Sequence, residues 1–248
     1  MLDRTQFYRF EDFICDTAEA RNGDELFDLL KRAAGQYGYD RLIFSAPLDF
    51  ELPAEWRRWG VYSTYADDWM QEYERRSYAA IDPVLLAAAT RDNAFTWAEL
   101  ERTSAYTEAQ KRFMLTAERE AGLFNGIGVP IRGRRMLQAG IGLASSAPHD
   151  GAEAYRDLLA AFCNQFYLAF KRLYAHTATP PDSKPLSPKE TEILTWVAGG
   201  KTDDDIAAIL GISRNTVDTH MRSIFRKLDA GNRVTAVVRA LMHGHIHP

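Results

Sequence analysis

The stretch "TDDDIAAILGISRNTVDTHMRSIFRKL", residues 202–228, sets down a helix start, a helix stop and a second helix start in quick succession. Thr202 can cap a helix whose first turn carries Asp203, Asp204 and Asp205, carboxylates that the helix dipole favours there. Gly211 ends that helix, because glycine adopts the left-handed conformation of a helix C-terminus without a steric cost. Ser213 can cap a second helix running to about Leu228, along which Val217, Met221, Ile224, Phe225 and Leu228 recur as one apolar stripe. A short helix, the turn "GIS" and a longer helix have the dimensions of a helix-turn-helix.

The flanks extend the pattern. Ser187-Pro188-Lys189-Glu190 reads as a capping box with proline in the first helical position, and Gly199-Gly200 closes that helix. A last helix begins beyond Gly231. Off the apolar stripe, the 213–228 helix offers Ser213, Arg214, Asn215, Thr216, His220, Arg222, Arg226 and Lys227. Arginine and asparagine near a helix N-terminus are the side chains that read guanine and adenine in a major groove, and basic residues further along suit phosphates. Residues 211–241 carry six basic side chains against two acidic, within a chain whose net charge is −4. The same pattern would also describe a plain four-helix domain with a solvated basic face.

From "LSPKE" at 186 to "GHI" at 246 the sequence resembles the LuxR-type DNA-binding domain nearly end to end. The resemblance rests on Leu186, Ser187 and Glu190, on Gly200-Lys201-Thr202, on "IAAILGISRNTVDTH" (206–220) and on Lys227-Leu228 followed by Asn232-Arg233. It implies double-stranded DNA as a partner, with the 213–228 helix in the major groove and a homodimer on a two-fold symmetric site. Two departures stand out: Asp205 where the family usually has glutamate, and Asp218-Thr219 where a basic or polar residue and an aromatic are common.

Upstream, "AHTATPPDSKPLSP" (175–188) holds four prolines and reads as an extended linker. The chain therefore divides into residues 1–174, a linker at 175–186 and residues 187–248. Within the first part, helical periodicity covers about 5–20, 24–37, 66–77, 83–90, 105–121 and 150–174, and strand-like runs fall at 41–48, 59–65, 126–133 and 137–145. Without regular βαβ alternation this is an α+β domain, an antiparallel sheet sandwiched by helices, followed by an all-α four-helix domain. Hydrophobic content of 46% and charged content of 26% are those of a globular protein. No apolar run reaches the length of a membrane span and the N-terminus is no signal peptide, so a cytoplasmic location is expected, with Cys15 and Cys163 as buried free thiols.

"WMQEYERRSYAAIDPV" (69–84) raises the question of function for this half. Trp69 and Tyr73 share a helix face, and Asp82 stands just ahead of a proline. Asp82 can be simply the cap of the helix "PVLLAAAT", and the two aromatics simply core. Taken with Tyr65, Pro83, Trp97 and Gly126, however, they resemble the autoinducer-binding domain of quorum-sensing regulators over roughly residues 5–172. That resemblance implies an N-acyl- or aryl-homoserine lactone as ligand. Indole donates only, phenol can donate, and a carboxylate accepts. Trp69 would then bind the lactone carbonyl, Tyr65 the amide carbonyl and Asp82 the amide N–H, with Tyr73 and Trp97 as walls. Gly128 and Gly142 fall where relatives often place serine or threonine, and they imply added room beside the amide.

An enzyme is not expected: the sequence has no G-x-S-x-G elbow, no H-E-x-x-H and no P-loop, and it calls for no cofactor. "RGRR" (132–135) reads as a solvated hairpin turn, and "HGHIHP" as a frayed tail rather than a metal site. Two rivals remain open, the same regulator with a non-lactone ligand and, from another class, a lactone-degrading enzyme.

Overall fold

The computed structural model describes residues 8–133, 138–148, 152–175 and 185–246. Most of the linker, Arg134 and Arg135 of the hairpin turn, and the last two residues of the tail lie outside these. The chain forms two compact units.

In the first unit, five strands form one antiparallel sheet in the order β2-β1-β5-β4-β3. They are β1 (Arg41–Leu48), β2 (Tyr62–Ser63), β3 (Phe95–Thr96), β4 (Asn125–Arg132) and β5 (Gln138–Ser145). The helices are α1 (Phe10–Glu19), α2 (Gly23–Gly35), α3 (Asp67–Arg75), α4 (Pro83–Thr90), α5 (Trp97–Thr103), α6 (Glu108–Ala121) and α7 (Ala152–Tyr174). The expected strand at 59–65 shrinks to two residues, and β3 and α5 escaped the sequence reading altogether. Both strands are too short for a period-2 pattern to register.

The alternation along β4 and β5 gives the sheet two unlike faces. Ile127, Val129, Ile131, Ile141 and Leu143 point one way, are at most 5% exposed, and with Leu42 and Phe44 of β1 form the main core. There Phe44 meets the rings of Phe166 and Phe170 from α7 at 5.2 and 5.0 Å. The opposite face carries Gly126, Gly128, Pro130, Gly140, Gly142 and Ala144, which register against one another, with Gly142 and Gly140 also facing Ile43 and Ser45 of β1. One side of these two strands is packed with branched aliphatics, and the other is almost bare.

Cys163 is buried on α7, but Cys15 is exposed, contrary to the expectation for it. The buried positions of α1 are Phe13 and Thr17, one turn apart, which turns Cys15 outward. Similarly Tyr155, Leu158 and Leu168 of α7 are 37–62% exposed, while Leu159, Phe162, Phe166 and Phe170 are buried.

The second unit holds α8 (Pro188–Ala198), α9 (Asp203–Leu210), α10 (Arg214–Lys227) and α11 (Arg233–Met242) around Ile193, Leu194, Ile206, Val217, Met221 and Ile224. Each N-terminus is capped by a side chain, and at Ser187, Thr202 and Ser213 this is as the sequence implies. Ser187 and Glu190 form a capping box, as do Thr202 and Asp205. Asp205 thus closes the box with a carboxylate one methylene shorter than glutamate. Ser213 accepts from the Thr216 N–H, and Asn232 from that of Thr235.

Candidate functional site: an enclosed polar cluster and a basic helix

The bare face of the sheet is roofed by α3, α4, α5 and α6, and between them lies a cavity of about 770 Å³. Tyr65, Trp69, Tyr73, Asp82, Trp97, Gly128 and Gly142 all line it, although they span 78 residues of sequence and come from loops, helices and strands. Apolar side chains supply most of the remaining wall, including Ile43, Met70, Val84 and Phe113. Phe113 was not singled out from the sequence. It sits on the buried stripe of α6 with Ala117, a pattern that marks a core face but not which cavity that face closes.

Asp82 does two things at once. Its Oδ1 accepts from the backbone N–H groups of Val84 and Leu85 at 2.8 and 3.2 Å, capping α4 ahead of Pro83. Its Oδ2 accepts from the Tyr73 hydroxyl at 2.8 Å. Among the described residues no cation pairs with it. Burial therefore raises its carboxyl above the usual range, against the Tyr73 hydroxyl and the two backbone donors, which act to lower it. Burial likewise raises the phenols of Tyr65 and Tyr73, with the Asp82 charge adding to both, so each stays a neutral donor. Trp69 is 4% exposed, stacks on Tyr78 at 5.9 Å and crosses Tyr73 edge-on at 6.3 Å. The buried Trp97 indole N–H has no hydrogen-bond partner among the described residues.

Three glycines of the bare face, Gly126, Gly128 and Gly142, are of two kinds. A Cβ on Gly126 would stand 2.5 Å from the Leu143 carbonyl oxygen and 2.6 Å from the Trp97 ring, and one on Gly128 would stand 2.5 Å from the Phe95 ring. The room expected beside Gly128 is therefore filled: Phe95, its cross-strand partner on β3, lies over it. Gly142 is different. A Cβ there would meet Ile43 Cγ2 at 3.0 Å and the Tyr65 hydroxyl at 3.7 Å, so the missing side chain leaves space next to the donor.

On α10, Ser213, Arg214, Asn215, Thr216, Arg222 and Arg226 are exposed and His220 is half-buried. The Ser213 and Thr216 hydroxyls bond each other at 2.8 Å as part of the cap. Arg214 lies 3.6 Å from Asp204 of α9. Lys227 does not join the basic face. Its ammonium donates to Glu190 Oε2 at 2.6 Å and to the Pro185 carbonyl at 3.1 Å, and its side chain is 19% exposed. Glu190 is itself buried; burial would raise its carboxyl, but Lys227, the Ser187 N–H and the hydroxyls of Ser223 and Ser187 hold it at about 2. This pairing with Glu190 competes with the phosphate contact expected of Lys227.

A chamber with a polar end on one unit and a capped, cation-bearing second helix on the other define a small-molecule-responsive DNA-binding protein. Comparison with known proteins gives the family. The autoinducer binding domain matches residues 22–170, and the bacterial regulatory proteins of the luxR family match residues 184–240. The transcriptional activator protein SolR of Ralstonia solanacearum is 30% identical over 250 residues, covering 96% of this chain and 98% of that protein. The quorum sensing-dependent transcriptional regulator RpaR of Rhodopseudomonas palustris is 34% identical over 186 residues, 72% of each chain. Among solved structures, Escherichia coli SdiA shares the fold with a TM-score of 0.68 at 23% identity, over 96% of this chain and 98% of that one. A further SdiA structure, in complex with octanoyl-rac-glycerol, gives 0.67 at 23% identity over 96% of each. The chain belongs to the LuxR family of quorum-sensing transcriptional regulators, with an autoinducer-binding domain ahead of a luxR-type helix-turn-helix domain. The family is one of transcription factors, not enzymes. No helix among the described residues is long and apolar enough to cross a membrane.

Proposed function

We propose that this regulator binds an N-acyl- or aryl-homoserine lactone in the cavity of its first domain and so controls how α10 engages DNA. The domain limits are 1–174 for ligand binding and 187–248 for DNA, with 175–186 as linker. The protein acts in the cytoplasm as a homodimer on a two-fold symmetric duplex site. One observation supports the ligand reading above others: an enclosed carboxylate, Asp82, is met only by neutral donors. A buried charge without a cation is costly, and a further N–H donor relieves that cost. The amide N–H of an acylated lactone is such a donor. Trp69 N–H and Tyr65 O–H then meet the lactone and amide carbonyls, while Tyr73 and Trp97 wall the head group.

Calorimetric titration of the full chain with octanoyl-homoserine lactone, an aryl-homoserine lactone and octanoyl glycerol tests this. Asp82→Ala is expected to weaken lactone binding by roughly ten- to hundred-fold, the loss of a charge-assisted bond worth about 1.5–3 kcal/mol. Loss of the cap alone costs about 1 kcal/mol of stability and leaves the affinity of folded protein alone. Lactone affinity unchanged in folded Asp82→Ala removes Asp82 from the ligand contacts. Binding of octanoyl glycerol with no binding of either lactone assigns the cavity to a non-lactone signal.

A further inference from the structure

Asp218 stands on the helix that meets DNA, and phosphates repel it. It is the only acidic residue in α10. The buried stripe of Val217, Met221, Ile224 and Leu228 fixes how α10 is turned. Opposite that stripe, at helical spacing, run Asn215, Thr219, Arg222 and Arg226, all exposed. Asp218 flanks this row one turn before Arg222. Its Oδ2 accepts from Arg222 Nη2 at 2.5 Å, with the two side chains 47% and 77% exposed. In water a surface pair of this kind contributes little. Its position matters more than its strength, since the pair lies on the surface that DNA covers.

We propose that Asp218 is a specificity-determining residue that positions Arg222 to read a base alongside Arg214 and Asn215 of α10. A guanidinium has five N–H donors in a rigid fork, and Asp218 engages one edge of it. The other edge keeps two donors, the number that guanine O6 and N7 accept. Holding the guanidinium removes part of the rotamer freedom it would otherwise lose on reaching a base. Cancelling its charge weakens its pull on any phosphate, which is the sequence-blind part of binding. Both effects raise discrimination while lowering non-specific affinity. The proposal deepens the DNA-binding role of this domain and does not depend on which ligand fills the cavity.

The test is selection from a random duplex pool, with and without octanoyl-homoserine lactone, by the full wild-type chain and by Asp218→Asn, Arg222→Ala and the double variant. Binding curves on a selected and a scrambled duplex at several salt concentrations accompany it. Asp218→Asn is expected to lose base preference at the same position in each half-site that Arg222→Ala loses. It should tighten scrambled-duplex binding several-fold, steepen the salt slope by about one per subunit and lower the selected-to-scrambled ratio about tenfold. The double variant should discriminate no worse than Arg222→Ala alone, the non-additivity of two residues acting as one. A carboxylate that merely repels phosphate gives another result: equal tightening on both duplexes, wild-type base preferences and additive losses. That outcome, or a wild-type pool with no base preference in either condition, overturns the proposal.

Discussion

Lys227→Met separates holding the domain together from holding DNA. The substitution keeps an unbranched side chain of similar length and removes the ammonium that faces Glu190 Oε2 at 2.6 Å. Glu190, 4% exposed, is then left with the Ser187 N–H and two serine hydroxyls. Its carboxyl is held at about 2 against an ordinary 4.5, a stabilisation of roughly 3 kcal/mol shared among all its donors. Lys227 is the leading contributor among them, but it retains some exposure and solvent screens part of its effect. A cost of about 2 kcal/mol follows, which for a domain of this size lowers the melting temperature by roughly 8–16 °C. The folded-state value is depressed, so the stabilisation is present above about pH 4.5 and disappears as pH falls toward 2. The gap between wild type and variant in thermal melts should therefore be full at pH 7 and narrow steadily below pH 4.5. In DNA binding by folded protein, Lys227→Met should leave the salt slope where it was, whereas Arg226→Ala should flatten it by about one per subunit. A variant that melts with wild type at pH 7, or that flattens the salt slope as Arg226→Ala does, would refute this account of Lys227.

The cavity gives three further expectations. Asp82 has a raised folded-state carboxyl, so lactone affinity should decline on acidification at a pH above the ordinary aspartate range; titrations between pH 4 and 8 check this, and an affinity flat to pH 4 contradicts it. Gly142→Ser places a hydroxyl near Tyr65 and asks Ile43 to yield by a few tenths of an ångström. In competition assays it should lose tolerance for branched or aryl acyl groups and gain preference for a 3-oxo chain, neither of which wild type should resist or prefer by tenfold. Gly126→Ala has no such freedom, because a backbone carbonyl and an indole occupy the site; it should destabilise the first unit by about 1–3 kcal/mol in calorimetry and leave the melt of the second unchanged.

The first three helices of the DNA-binding domain were legible because each begins on a side chain that can cap it, Ser187, Thr202 and Ser213, whereas the Asn232 cap of the fourth was not read. The long strands were legible for a similar reason, since "GIGVPI" and "QAGIGLA" alternate at period two. What could not be read was set by contacts between distant residues. Nothing local to "RK" at 226–227 says that one charge faces solvent and the next a carboxylate 37 positions earlier. Nothing in "NAFTW" (93–97) says that Phe95 will lie across Gly128, turning an apparent space into a filled one. The cavity-lining set of Tyr65, Trp69, Tyr73, Asp82, Trp97 and Gly142 was assembled by resemblance, and Phe113 fell outside it because an amphipathic helix announces a buried face without naming its neighbour.

The two-faced hairpin of β4 and β5 has a consequence for how such a receptor can change. Successive residues of a strand answer to different demands: Ile127, Val129, Ile141 and Leu143 to cohesion of the domain, Gly140 and Gly142 to the outline of the chamber. A substitution at an odd-numbered position of this stretch puts folding at risk, whereas a side chain on Gly142, on the open side, presses on a single atom, the Ile43 Cγ2 methyl at 3.0 Å. On the open side of the ribbon, Gly126 and Gly128 still answer to close packing, and Gly142 is the position where the outline of the chamber can change. A side chain gained at Gly142 would alter the chamber while leaving the core-facing residues on either side of it untouched.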